Sequence, residues 1–221
     1  MNKLAIIIQG ASTNVNEQKE KWACVKHDII FSTWLGFESH YDNADNVIFS
    51  EIPESSPMNF FHQVISTYKG LLKAKELGYE YVLKLRSDLI PTNCSKFLEL
   101  IDNKDFNFLA WQRHQVYPNC QGYLVDYLMS GYIDDMLKLW NINECLTIVP
   151  EVNLTNNFIN NLESFSTTKI KYFLDNLSNT NNLFWVKRNF YLSECQEHYK
   201  LHGGFSNDTQ YLNKNYMNFF K

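Results

Sequence analysis

The stretch from Ser56 to Gly78 constrains the fold most, because it places a long amphipathic helix pattern between two short apolar runs. Phe61, Val64, Ile65, Tyr68, Leu71 and Leu72 recur at the i, i+3, i+4, i+7 spacing that lines one helical face. Ser56 and Pro57 supply an N-cap and a proline at the first helical position. Gly78 is placed to take the left-handed conformation that ends a helix. The flanking runs, Asn46 to Phe49 and Tyr81 to Leu85, read as strands, as do Leu4 to Ile8 and Asp28 to Phe31 further upstream. Strands alternating with helical patterns cross over into a parallel sheet, so the expected class is α/β: a Rossmann-type mixed, mainly parallel sheet flanked by helices.

The second half is less regular. A helix is expected after Pro91, strands near Phe106 to Trp111 and Tyr123 to Met129, and a helix from Asp134 to Trp140. An Asn-, Ser- and Thr-rich stretch from Asn153 to Asn182 reads as loops and short helices. A final helix is expected over 207–221, capped by Asn207. With 221 residues and no long linker or repeat, one domain spanning 1–221 is expected.

Charge narrows the partners. The formal charge of −4, with no basic run able to track a phosphate backbone, argues against nucleic acid. The apolar run from Leu4 to Ile8 is too short for a signal sequence or a transmembrane segment. Cys24, Cys94, Cys120, Cys145 and Cys195 lie far apart with no C-x-x-C pair, which points to a reducing cytoplasm rather than to a zinc or disulfide framework.

Chemistry concentrates where the strand Tyr81 to Leu85 runs out into Arg86, Ser87 and Asp88. Period-two geometry puts Lys84, Arg86 and Asp88 on one face, and open α/β sheets bind ligands beyond the carboxyl ends of their strands. A carboxylate between two cations suits a metal-bound or cationically clamped diphosphate; the plainer reading is an Arg86–Asp88 pair that caps the next helix.

The ordered set FSTW (Phe31 to Trp34), NFFHQVIST (Asn59 to Thr67), VLKLRSDL (Val82 to Leu89) and VDYLMSGYIDDMLKLW (Val125 to Trp140) resembles the WavE-type lipopolysaccharide-synthesis glycosyltransferases. That resemblance covers roughly residues 4–161 and implies a GT-A-like fold. It implies a nucleotide-binding half over about 1–92 and an acceptor and catalytic half over about 93–206. In such enzymes a D-x-D motif at a strand end holds a divalent ion on the donor diphosphate. Arg86-Ser87-Asp88 occupies that position with Arg replacing the first acid, so either Asp88 still binds Mg²⁺ or Mn²⁺ or Arg86 neutralises the phosphates itself. The resemblance also implies His202, before Gly203 and Gly204, as a second metal ligand. It implies Glu151 as the acid nearest the chemistry and Asp126 as a second catalytic acid that contacts sugar hydroxyls.

Other residues fit a nucleotide site on their own positions. Gln9 and Gly10 close the first strand, and a glycine there lets the backbone approach a ligand, or simply makes a turn. Ser32, Thr33 and Trp34 follow the second strand and could line a base and ribose pocket or serve capping and packing. Asn59 and Gln63 share one helical face at the helix start, beside His62, where the resembled family more often has Arg. The expected activity is transfer of a sugar from a nucleotide-sugar donor to a surface glycan, free or lipid-linked, at the inner face of a bacterial inner membrane. A non-catalytic nucleotide- or glycan-binding module, or a transferase of another nucleotide-activated group, is the alternative. Nucleotidyl transfer is disfavoured because no Gly-rich, Arg-containing loop follows the first strand.

Overall fold

The computed structural model describes residues 4–12, 15–54, 56, 59–87, 94–95, 98, 108–112, 123–145, 153–154 and 157. Among them the element order is β1 (Leu4–Gln9), α1 (Val15–Trp22), β2 (Asp28–Trp34), a 3-10 turn (Glu38–His40), β3 (Val47–Ser50), α2 (Phe60–Glu76), β4 (Tyr81–Arg86), β5 (Phe108–Gln112), β6 (Tyr123–Tyr132) and α3 (Ile133–Trp140).

The described strands form one sheet in the order β3-β2-β1-β4-β6-β5. Strands β3, β2, β1 and β4 run parallel, with Ile7 in register with Ile30 on one side and Lys84 on the other. Strand β6 enters antiparallel to β4, and β5 pairs antiparallel with β6. The α/β class, with a mixed and mainly parallel sheet, is therefore as expected. All six residues of β1 are buried, as a central strand covered on both faces requires. Ile6, Ile8, Phe31 and Leu83 pack with Val15 and Trp22 of α1 on one face, while Ile7, Ile30 and Val82 pack with Phe60, Val64 and Leu71 of α2 on the other. Burying each of these large side chains contributes roughly 1.5–3 kcal/mol, an upper figure relative to an extended chain.

Helix α2 lies against β1 and β2 because Gly70 removes the side chain that would stand between them. A Cβ there would sit 2.7 Å from Ile7 Cγ2 and 3.2 Å from Ser32 Cβ. Its carboxyl end is the expected one: Gly78 takes φ +80° and donates its N–H to the carbonyl of Lys75. Its amino end differs. The helix opens at Phe60 rather than at Pro57, after Asn59 in the left-handed region at φ 61°. Ser56 still acts as a cap from outside, its hydroxyl accepting the His62 N–H at 3.2 Å.

Strand β2 runs through Trp34, so Ser32, Thr33 and Trp34 lie within the strand and not after it. Helix α1 was not expected from sequence. Its buried positions are Val15, Gln18 and Trp22, and the polar Gln18 interrupts the apolar spacing. No helix among the described residues is long and apolar enough to cross a membrane.

Candidate functional site

A cleft of about 300 Å³ opens where β1 and β4 end and α2 begins. That size is at the lower end of ligand cavities, which run roughly 300–1,000 Å³. The strands contribute Gln9, Gly10 and Ala11 after β1, Trp34 at the end of β2, and Arg86 and Ser87 after β4. The first turn of α2 contributes Asn59, His62 and Gln63. Ligands of open α/β sheets bind in this place because loops diverge there and the strand ends leave a crevice.

The rim of the cleft is tightly fixed. Gly10 holds φ +106°, and its N–H bonds the Ser32 carbonyl at 2.9 Å. A Cβ on Gly10 would sit 3.2 Å from Ser87 Oγ, so both backbone angle and space favour glycine. Ser87 uses three groups to tie neighbouring elements together. Its N–H donates to the Gln9 carbonyl at 2.8 Å, its hydroxyl donates to the Ala11 carbonyl at 2.7 Å, and its own carbonyl accepts from Gln18 Nε2 at 3.0 Å. Tyr41 braces the same loop, accepting the Ser12 N–H at 3.0 Å and donating to the Gly10 carbonyl at 3.3 Å. Burial raises its phenol pKa. The Thr33 hydroxyl lies near enough to offset part of that rise without meeting hydrogen-bond geometry.

Two polar atoms of the lining are buried without a hydrogen-bond partner: Gln9 Oε1 and His62 Nδ1. Gln9 is only 5% exposed. The His62 ring meets Trp34 edge-on, with centroids 5.1 Å apart at 83°, and burial lowers its pKa below the ordinary histidine value. Nearly all buried polar groups in proteins are hydrogen-bonded. Among the described residues, Thr33, Ser50, Thr67, Asp126 and Trp140 outside the cleft carry such atoms as well.

The sequence-derived candidates divide clearly. Gln9, Gly10, Asn59, Gln63 and Arg86 come together on the cleft. Ser32 does not reach it. The Ser32 hydroxyl is buried and donates to the Ser66 carbonyl of α2 at 2.6 Å, a packing contact. Thr33 alternates to the opposite face of the sheet, beside Tyr41. Lys84 shares the face of Arg86 but is completely buried. Its ammonium group donates to the Asp126 carbonyl and stands 4.9 Å from the centre of the Trp140 ring. A cation held inside the core beneath α3 does not face a diphosphate in the cleft, which corrects the expectation for Lys84. Asp126 is 2% exposed, with Oδ2 unpartnered, and does not line the cleft. Asp88, Glu151 and His202 lie outside the described residues, as does the expected helix over 207–221.

Ala11, Ser87, Tyr41 and Gln18 were not read from sequence as parts of the site. Ser87 could have been found from its place directly after β4. Gln18 and Tyr41 act through hydrogen bonds across 69 and 31 positions, which no local pattern reports.

A divalent metal, which the resemblance implies, needs hard oxygen ligands, carboxylates above all. The described lining offers none, and no group of three acidic, His or Cys side chains fit to hold a metal occurs among the described residues. The described part of the cleft therefore does not by itself fit such an ion.

No known protein-family model matches this chain, and no curated protein matches it in sequence. Solved structures with a distant likeness include a 4-diphosphocytidyl-2C-methyl-D-erythritol synthase from Anaerococcus prevotii, at 12% identity and TM-score 0.46 over 72% of this chain and 83% of that one. A cytidylyltransferase from Leptospira borgpetersenii gives 12% identity and TM-score 0.45 over 75% and 74%. A glycosyltransferase involved in glycosylation of the major capsid of PBCV-1 gives 11% identity and TM-score 0.44 over 71% and 76%. Likenesses this remote leave the architecture to the strand order and register, and the function to the chemistry of the cleft.

Proposed function

We propose that this protein is a nucleotide-dependent transferase that moves a sugar from a nucleotide-sugar donor to a surface glycan. One observation carries the reading. At the carboxyl ends of β1 and β4, a cleft combines a cation, Arg86, with an aromatic wall, Trp34 and His62, and with the amides of Gln9, Asn59 and Gln63. A nucleoside diphosphate presents the matching set: an anion, a planar ring and hydroxyls. In this proposal Arg86 offsets charge on the departing diphosphate. Asn59 and Gln63 contact ribose or sugar, and Gly10 lets the backbone approach the ligand.

The acids that complete the chemistry are proposed from the sequence resemblance: Asp88 beside the diphosphate, with His202 as its partner if a Mg²⁺ or Mn²⁺ ion is used, and Glu151 toward the transferred sugar; the burial of Asp126 away from the cleft speaks against the sugar contact expected of it. The same resemblance proposes a lipopolysaccharide or capsule acceptor, with the enzyme working at the inner face of the membrane.

The test is a thermal-shift series with UDP, GDP, CDP and CMP, followed by mass spectrometry of products formed from the nucleotide sugar that binds. Stabilisation by at least one nucleotide and release of the free nucleoside diphosphate, or of CMP from a CMP-sugar, support sugar transfer. Binding without turnover turns the reading to a nucleotide-binding module, and release of pyrophosphate from a nucleoside triphosphate supplied with a sugar phosphate turns it to nucleotidyl transfer. A shift with no nucleotide overturns it.

A further inference from the structure

The described charge in the cleft is an arginine, standing where the sequence resemblance places the first acid of a metal-binding pair. Arg86 closes β4 and lines the cleft. Ser87, the next residue, is held by bonds to the Gln9 and Ala11 carbonyls at 2.8 and 2.7 Å. A guanidinium keeps its charge throughout the working pH range, and its planar fork of N–H donors fits two phosphate oxygens at once. It has no acceptor with which to ligate a cation, and its charge repels one.

The polar groups around it supply further donors. Gln9 is 5% exposed with Oε1 sealed and unpartnered, which leaves Nε2, a donor, as the polar atom its side chain offers the cleft. The 17-residue α2 begins at the same cavity, and Asn59 ahead of it makes no side-chain cap bond. The amino end of a helix carries partial positive charge and attracts anions. Asn59 and Gln63 bring amide N–H groups to that end. No aspartate or glutamate is among the described lining residues.

Resting on the nucleotide reading above, we infer that Arg86, Gln9 and the amino end of α2 bind the donor diphosphate directly, with no divalent ion required. The diphosphate of a nucleotide sugar carries two negative charges. Arg86 answers one with charge-assisted hydrogen bonds, and the amide and helix-end donors share the other. A Mg²⁺ or Mn²⁺ ion on those oxygens would occupy the acceptor sites and set two positive charges beside the guanidinium. Added metal therefore competes with the protein for the diphosphate instead of bridging to it.

Isothermal titration of the full chain with UDP, CDP and GDP tests this, each in EDTA and again with Mg²⁺ or Mn²⁺. The expected result is that the nucleotide that binds does so in EDTA, with its affinity unchanged or lowered when metal is added. Arg86→Gln, checked for folding by urea titration, should weaken that binding by about tenfold or more. The matching nucleoside, which lacks phosphate, should bind the variant and the wild type alike. Binding that requires metal, or that metal strengthens, overturns the inference and leaves the nucleotide reading standing, as does full affinity of Arg86→Gln in EDTA. The wild-type titrations decide the matter even if the variant does not fold. Absence of binding by all three nucleotides in both buffers overturns both.

Discussion

Gln18 and Ser87 join two elements far apart in sequence: the buried amide of α1 donates to the carbonyl of the residue that follows β4, at 3.0 Å. The other end of that amide accepts from Trp22 Nε1 at 3.3 Å. Ser87 is bonded in turn to the carbonyls of Gln9 and Ala11. One glutamine therefore helps hold the residue that follows Arg86 at the rim of the cleft.

Gln18→Leu keeps the volume and removes both bonds, leaving a buried carbonyl and an indole N–H without these partners. We predict a loss of about 1–3 kcal/mol in unfolding free energy by urea titration. Nucleotide affinity should also weaken although Gln18 touches no ligand. Weaker affinity with unchanged stability, or the reverse, would separate its two roles.

Gln9→Leu should act in the opposite direction on stability. The wild-type side chain is 5% exposed and its oxygen has no partner, so an apolar group of similar shape relieves a penalty. The ligand-free variant is predicted to unfold at higher urea than wild type, by roughly 1 kcal/mol, while losing nucleotide affinity. A destabilised variant would mean that the amide answers a need of the fold rather than of a ligand.

Much of this arrangement was legible in the sequence, because the determinants are local. The four parallel strands and α2 follow from apolar runs, helical spacing and Gly78, and the placing of Gln9, Gly10 and Arg86 follows from the rule that strands end at the site. Local pattern failed where a polar residue holds a core position. Gln18 hid α1 because its amide, not an apolar side chain, faces the sheet. Lys84 read as a site cation because period two gives the face of a residue but not its depth, and β6 with α3 covers that depth. Ser32 and Thr33 read as loop residues because β2 runs three residues past its last large aliphatic pair, Ile29 and Ile30, and Phe31.

Gly70→Ala tests how closely α2 lies on the sheet. Alanine is the better helix former by roughly 1 kcal/mol. Its methyl group, however, would stand 2.7 Å from Ile7 Cγ2 and 3.2 Å from Ser32 Cβ, and a packed core does not yield that space freely. Overpacking costs typically about 1–3 kcal/mol, so the net prediction is a lower unfolding midpoint. Because α2 carries Asn59, His62 and Gln63 to the cleft, a shift of the helix should also weaken nucleotide binding.

His62 gives the site a dependence on pH whose sign can be worked out. Burial holds its folded pKa below the ordinary value of 6.5, so the unfolded chain takes up this proton first as pH falls. The contribution is present above about pH 6.5 and is lost as pH falls through the lowered folded pKa. Among the described lining residues the charged neighbour is Arg86. Titrating urea stability from about pH 7.5 to pH 5 checks this: it should decline in the wild type, and the decline attributable to this group should vanish in His62→Phe. An identical pH profile in that variant would assign the effect to other groups and leave His62 as a packing partner of Trp34.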